Sequence, residues 1–176
     1  MPDATFSKEE LLKELHTNTG DLLAILSRFS KEDFNKIPFA ESWTAGQVAQ
    51  HLYKAESGVP MLFNMELTET ERAMDEKMPI IRSVFLNFET KLQSPDFILP
   101  DAEEKDPEEF VANFARNRET VDEIIATADL TKTVTGLSLP QMGTLTGWEW
   151  ICFMTCHAMR HTRQLQNIYA ALHPAS

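Results

Sequence analysis

The sequence predicts an all-α protein, a four-helix bundle, and three observations lead to it. Four segments carry apolar residues at helical spacing, and three of these open on a Ser or Thr followed three positions later by Glu or Gln, a reciprocal cap that satisfies the free amides of a helix start. Prolines fall between those segments or at their starts, where a helix tolerates them. A long crossover separates the second segment from the third, and a connection of that size lets the helices before and after it run parallel.

Helix one opens at Ser7, capped with Glu10, and runs to about Phe29 on the apolar residues Leu11, Leu12, Leu15, Leu22, Ile25, Leu26 and Phe29. Gly20 in its middle costs about 1 kcal/mol against alanine and suggests a close approach by a neighbouring helix. His16 flanks the apolar stripe and is expected to be partly exposed. Between Ser30 and Ser42 the chain reads as irregular, with Ile37 and Phe39 available to pack on the bundle end. Helix two starts after Thr44, capped with Gln47, and places Val48, His51, Ala55 and Leu62 on one face. Gly58 and Pro60 bend or stop it.

The crossover is polar from Glu66 to Lys77 and apolar from Ile80 to Phe88. It predicts a short helix over about Ile80 to Leu92, then an extended piece, because Ser94-Pro95 and Leu99-Pro100 disfavour α geometry before each proline. It contains no catalytic motif. Helix three begins at Asp106-Pro107-Glu108-Glu109, a cap, a first-turn proline and acidic residues against the helix dipole. Its stripe is Phe110, Phe114, Val121, Ile124 and Ile125, while Arg116, Arg118, Glu119, Asp122 and Glu123 read as a solvated face with helical ion pairs. Asp129 to Thr146 is a Thr-rich loop with room for a short hairpin through Thr133 to Leu139. Thr146 and Glu149 then cap the last helix, which starts near Gly147 and ends by Pro174.

That last helix carries the chemistry. His157 and His161 are four residues apart, which on a helix leaves them about 40° apart on one face, one turn from each other. Trp150, Phe153, Met154, Leu165 and Ile168 lie on the same side, so both imidazoles point inward. The pair alone fits a metal chelate or two hydrogen-bonded core histidines. His51, inward on helix two, supplies a third imidazole, and three neutral imidazoles suit Zn²⁺ and also Ni²⁺, Fe²⁺ or Co²⁺ while leaving positions open for water or substrate. Gln47 and Gln164 share those inner faces and can hydrogen-bond a ligand, or can sit at the edge of the core. Cys152 and Cys156 are one turn apart and read as reduced packing residues, with metal ligation by Cys156 a minor alternative. No Glu-x-x-His, His-Glu-x-x-His or Gly-rich phosphate loop occurs, which excludes the usual di-iron bundle, the zinc-protease helix and phosphate-loop chemistry.

Composition bounds the rest. The chain has 176 residues, 43% of them hydrophobic and 24% charged, which suits one globular domain over 1–176. A formal charge of −11 argues against nucleic acid and anionic membranes, whose binding rests on clustered Lys and Arg. No apolar run reaches the roughly 20 residues of a membrane span, and the polar, acidic Met1 to Glu10 is unlike a signal or transit peptide. A cytoplasmic protein is expected.

Three pieces together resemble one family: Ser42-Trp43-Thr44 with Gln47-Val48 and His51-Leu52, then Gly143 to Glu149-Trp150, then His157 with Arg160-His161 and Gln164. In order and spacing they are similar to the DinB/YfiT-like superfamily of metalloenzymes, across residues 42 to 164. The resemblance implies an up-down-down-up four-helix bundle with His51, His157 and His161 as a metal triad for Zn or Ni, often in homodimers. It also implies thiol S-transferase or metal-dependent hydrolase chemistry, since relatives include thiol transferases using bacillithiol or mycothiol and a mycothiol-dependent maleylpyruvate isomerase. The expectation is an enzyme whose metal activates a low-molecular-weight thiol, or a water, towards a small electrophilic substrate. The alternative is a non-catalytic metal- or ligand-binding bundle. Glu56 and Glu149 are candidate general bases by proximity in sequence, with capping or surface roles as the competing reading. Apolar Trp148, Met159 and Tyr169 around the last helix add to the expectation of a homodimer.

Overall fold

The helix caps read from the sequence set the starts of the four long helices. A computed structural model of the chain describes residues 7–174, so the first six residues of the stretch read for a leader lie outside it. Seven α-helices are present among the described residues: α1 Lys8–Leu26, α2 Lys31–Phe34, α3 Ala45–Glu56, α4 Val59–Leu62, α5 Met78–Phe85, α6 Pro107–Thr127 and α7 Gly147–Leu172. The fold is mostly helical, as expected, with a small sheet of β1 Leu67–Thr68, β2 Thr133–Leu139 and β3 Gly143–Thr146 beside it. The strands pair antiparallel in the order β1-β2-β3, with Leu67 opposite Val134 and Val134 opposite Leu145. The Thr-rich loop does form a hairpin, but a longer one than expected: Thr133–Leu139 is a single strand, its turn lies at 140–142, and Gly143–Thr146 is the returning strand. Strand β1, drawn from the polar start of the crossover, adds a strand that its composition did not announce.

Caps at Ser7, Thr44 and Thr146 each close the full reciprocal box with Glu10, Gln47 and Glu149. Asp106 caps α6 through the amide of Glu108. Helix α1 ends at Leu26, earlier than the apolar pattern suggested, and Phe29 is buried from the turn that follows. Gly20 meets no neighbour: a Cβ built there has nothing within 4 Å, so no helix approaches it. The stretch 30–42 includes the single turn α2, capped by Ser30, and Ile37 and Phe39 are 63% and 57% exposed rather than packed on the bundle end. Helix α5 starts two residues earlier and ends seven residues earlier than the helix expected over Ile80 to Leu92, with Pro79 in its first turn, where no amide partner is needed.

Helix α7 is the axis of the fold. Every residue from Gly147 to Ala158 is buried, and a helix enclosed on all sides must be covered by neighbours on all sides. Helices α1, α3 and α5 pack along it, and β3 runs into its start. Glu149 is fully buried there; it accepts from both guanidinium nitrogens of Arg72 at 2.6 Å and from the amides of Lys77 and Thr146 at 2.8 and 3.0 Å. Two apolar clusters flank the histidines: Leu11, Leu15, Ile81, Val121, Ile125 and Ile151 on one side, Leu22, Leu26, Val48, Leu52, Phe114 and Leu165 on the other. Trp148 is buried in the first of them, within the chain. Arg118 is not on a solvated face: it is 3% exposed and forked onto Glu56 of α3. Among the described residues no helix is long and apolar enough to cross a membrane.

Candidate metal centre

The capping box at Thr44 sets the phase of α3, and His51 follows on the face that carries Val48 and Leu52 into the core. The box at Thr146 does the same for α7, turning His157 and His161 towards α3. All three imidazoles are buried, with 2%, 6% and 8% exposed. Their Nε2 atoms meet: His51 to His157 at 3.3 Å and His161 to His157 at 3.0 Å. One ligand nitrogen from each ring lies within 4.8 Å of the others, an arrangement able to hold a metal ion.

The opposite ring atoms decide the tautomers. His51 Nδ1 is 3.0 Å from the Ile98 carbonyl, which only accepts, so Nδ1 carries the proton and donates. His161 Nδ1 donates to Gln164 Oε1 at 2.7 Å. Both rings therefore present an Nε2 lone pair inward. His157 has one proton at neutrality and two Nε2 contacts, so at least one contact sets lone pair against lone pair; its Nδ1 is buried without a hydrogen-bond partner. Protons alone leave this cluster unsatisfied. A cation among the three nitrogens satisfies all three Nε2 lone pairs, and nitrogens about 2.0–2.1 Å from one ion stand about 2.8–3.4 Å apart for angles between 90° and tetrahedral. The observed 3.0 and 3.3 Å fall in that range.

Electrostatics favours the ligand form. Burial, then the charges of the neighbouring imidazoles and Arg160, hold His157 well below the ordinary histidine range. Burial, then His51, pushes His161 down to about 3 despite the hydrogen bond to Gln164. Burial also lowers His51, with Lys54 adding to it against the Ile98 hydrogen bond. All three rings are neutral at pH 7, as metal ligands must be. Aromatic rings wall the cluster: Phe153 stacks on His157 with an interplanar angle of 12°, Phe85 meets His157 edge-on, and Trp43 lies 5.2 Å from His51.

Gln164 thus takes the orienting role read for it, whereas Gln47 does not. Its side chain closes the α3 cap and donates to the Asp101 carbonyl. Cys152 and Cys156 are free, buried and 4.0 Å apart at sulfur, outside the imidazole cluster. Glu56 and Glu149, weighed as bases or as capping and surface groups, are both buried and spent on Arg118 and Arg72, Glu149 also capping α7. His16 pairs with Asp122 on the exterior. The Ile98 carbonyl was missed because it is a backbone atom of a distant loop and leaves no side-chain signal.

A family model described as the DinB superfamily matches residues 14–165. No curated protein and no solved structure matches the chain significantly.

Proposed function

Because the chain belongs to the DinB superfamily, we propose that it is a metal-dependent enzyme in which His51, His157 and His161 hold a divalent ion, Zn or Ni, for S-transfer from a small thiol or for hydrolysis. The observation that carries this reading is the meeting of three neutral, buried imidazoles at Nε2, two of which, His51 and His161, already commit their protons at Nδ1 to Ile98 and Gln164. Among the described residues no cysteine or carboxylate joins the three imidazoles, and a three-ligand set favours catalysis over a closed structural site. A divalent ion supplies acidification of a thiol or water and polarisation of an electrophile.

The chain's own part is positional. Ile98 and Gln164 fix two rings through their Nδ1 protons, and Phe153, Phe85 and Trp43 keep the cluster dry. Contacts between helix ends support the up-down-down-up order: Lys8 of α1 donates to the carbonyl of Ala128 after α6, Phe29 after α1 meets Tyr169 of α7, and Gly46 of α3 lies against Lys105 before α6.

Elemental analysis by mass spectrometry of the purified protein, beside its His157→Ala, His161→Ala double variant, tests the reading. About one equivalent of Zn or Ni in the parent and none in the variant is expected, and thiol-plus-electrophile pairs and an ester and amide panel then separate transfer from hydrolysis. No metal in either protein, even after reconstitution, overturns it.

A further inference from the structure

The crossover between α5 and α6 is fastened to the two helices that carry the imidazoles. On the α7 side, Arg160 stands between His157 and His161 in sequence. Its Nη1 donates to the carbonyls of Phe85 at 3.4 Å and Asn87 at 2.8 Å, and its Nη2 to that of Thr90. The first of these acceptors belongs to the end of α5, where a helix leaves carbonyls without intrahelical partners. No ion pair to Arg160 occurs among the described residues; its fork is given to the crossover backbone. Arg163 adds a contact over the Phe88 ring at 5.0 Å.

On the α3 side the fasteners are His51 itself, through Nδ1 to Ile98, and Lys54, which donates to the Leu99 carbonyl at 2.8 Å. Gln50 accepts from the Asp101 amide at 2.9 Å and donates to its carboxylate at 2.6 Å. A 3-10 turn over Asp96–Ile98 presents the Ile98 carbonyl to the imidazole. One segment thus runs from a clamp on α7, next to two of the imidazoles, to a clamp on α3 that includes the third.

We propose that Arg160 is a positioning residue of the metal centre, acting through segment 86–101, whose far end holds His51 with its Nε2 lone pair turned inward. The proposal rests on the metal reading above. Groups that orient metal-ligating histidines through the second ring nitrogen change metal affinity about 10- to 100-fold when removed. Coupling of binding equilibria is reciprocal. Closure of the segment tightens metal binding, and metal binding tightens the segment.

The test uses the full chain, stripped of metal, with Zn²⁺ affinity measured by competition with a chromophoric chelator and amide exchange of 86–101 followed by mass spectrometry. In the parent, Zn²⁺ slows exchange in 86–101 beyond any change in α6. Arg160→Gln speeds exchange there without metal and weakens Zn²⁺ binding about tenfold or more, and Arg160→Lys recovers part of both, since an ammonium reaches the carbonyls without the planar fork. A parent that binds no Zn²⁺ sinks the metal reading and this proposal with it. A parent that binds Zn²⁺ with no change in 86–101, or an Arg160→Gln protein that binds as tightly as the parent, overturns this proposal and leaves the metal reading standing. The comparison of the parent with and without Zn²⁺ needs no variant to fold.

Discussion

Glu56 and Arg118 face each other between α3 and α6 with 1% and 3% of their side chains exposed. The carboxylate accepts from Nε at 2.9 Å and from Nη2 at 2.7 Å, and Nη1 also donates to Asn18 and Thr19 of α1 at 3.1 Å each. Three helices are tied at one point, and burial raises the Glu56 carboxyl while the guanidinium opposes that shift. Removing one partner of such a pair leaves the other charge buried, at a cost of about 3–5 kcal/mol. Arg118→Met is expected to lose that much in urea unfolding at pH 7. The loss shrinks at pH 5, because a carboxyl whose folded pKa lies above its unfolded one stabilises the fold below the unfolded value and ceases to as pH rises. A variant as stable as the parent at both pH values would contradict this account.

Two glycines in helices show how neighbours decide the sign of one substitution. A Cβ on Gly20 of α1 meets nothing within 4 Å, so Gly20→Ala is expected to stabilise the protein by about 1 kcal/mol through helix propensity. A Cβ on Gly147 meets the Leu130 backbone at 2.8 Å from Cα and 2.9 Å from the carbonyl oxygen, atoms held by the hydrogen bond from the Trp148 amide. Gly147→Ala is expected to cost about 1–3 kcal/mol by forcing that backbone aside. Opposite shifts in the urea midpoint check both, and shifts of the same sign would show that propensity alone governs these positions. Gly147 also explains how α7 enters the core: the strand-to-helix corner needs a residue without a side chain where Leu130 crosses.

Across the whole molecule, the triad links stability to pH. His161 is held down to about 3 against the ordinary histidine value of about 6.5, so between those values the unfolded chain binds a proton that the folded chain refuses. Stability is full above about 6.5 and is lost as pH falls from there, by about 2 kcal/mol at pH 5 and up to about 5 kcal/mol near pH 3 for this group alone. Burial lowers His51 and His157 in the same direction and deepens the loss. Thermal midpoints of the metal-stripped protein should fall from pH 7 to pH 5, and His161→Leu should flatten that slope. A parent with the same midpoint at both pH values would mean that these rings titrate freely.

The starts of the four long helices and the inward turn of the histidines were determined by sequence alone, because both are local: a cap joins residues two or three apart, and the facing of His157 and His161 follows from a spacing of four within one apolar stripe. His51 was legible for the same reason. Only the tertiary structure decided what lies between elements. Arg118 read as solvated because its partner Glu56 is far along the chain, and Ile98 and the crossover clamps were invisible because a backbone carbonyl gains a role only where a loop's path brings it to a side chain. The loop's path is set by the packing of α5 and α3 on α7, which no local pattern encodes. That packing brings three imidazoles, separately predictable, to nitrogens 3.0 and 3.3 Å apart.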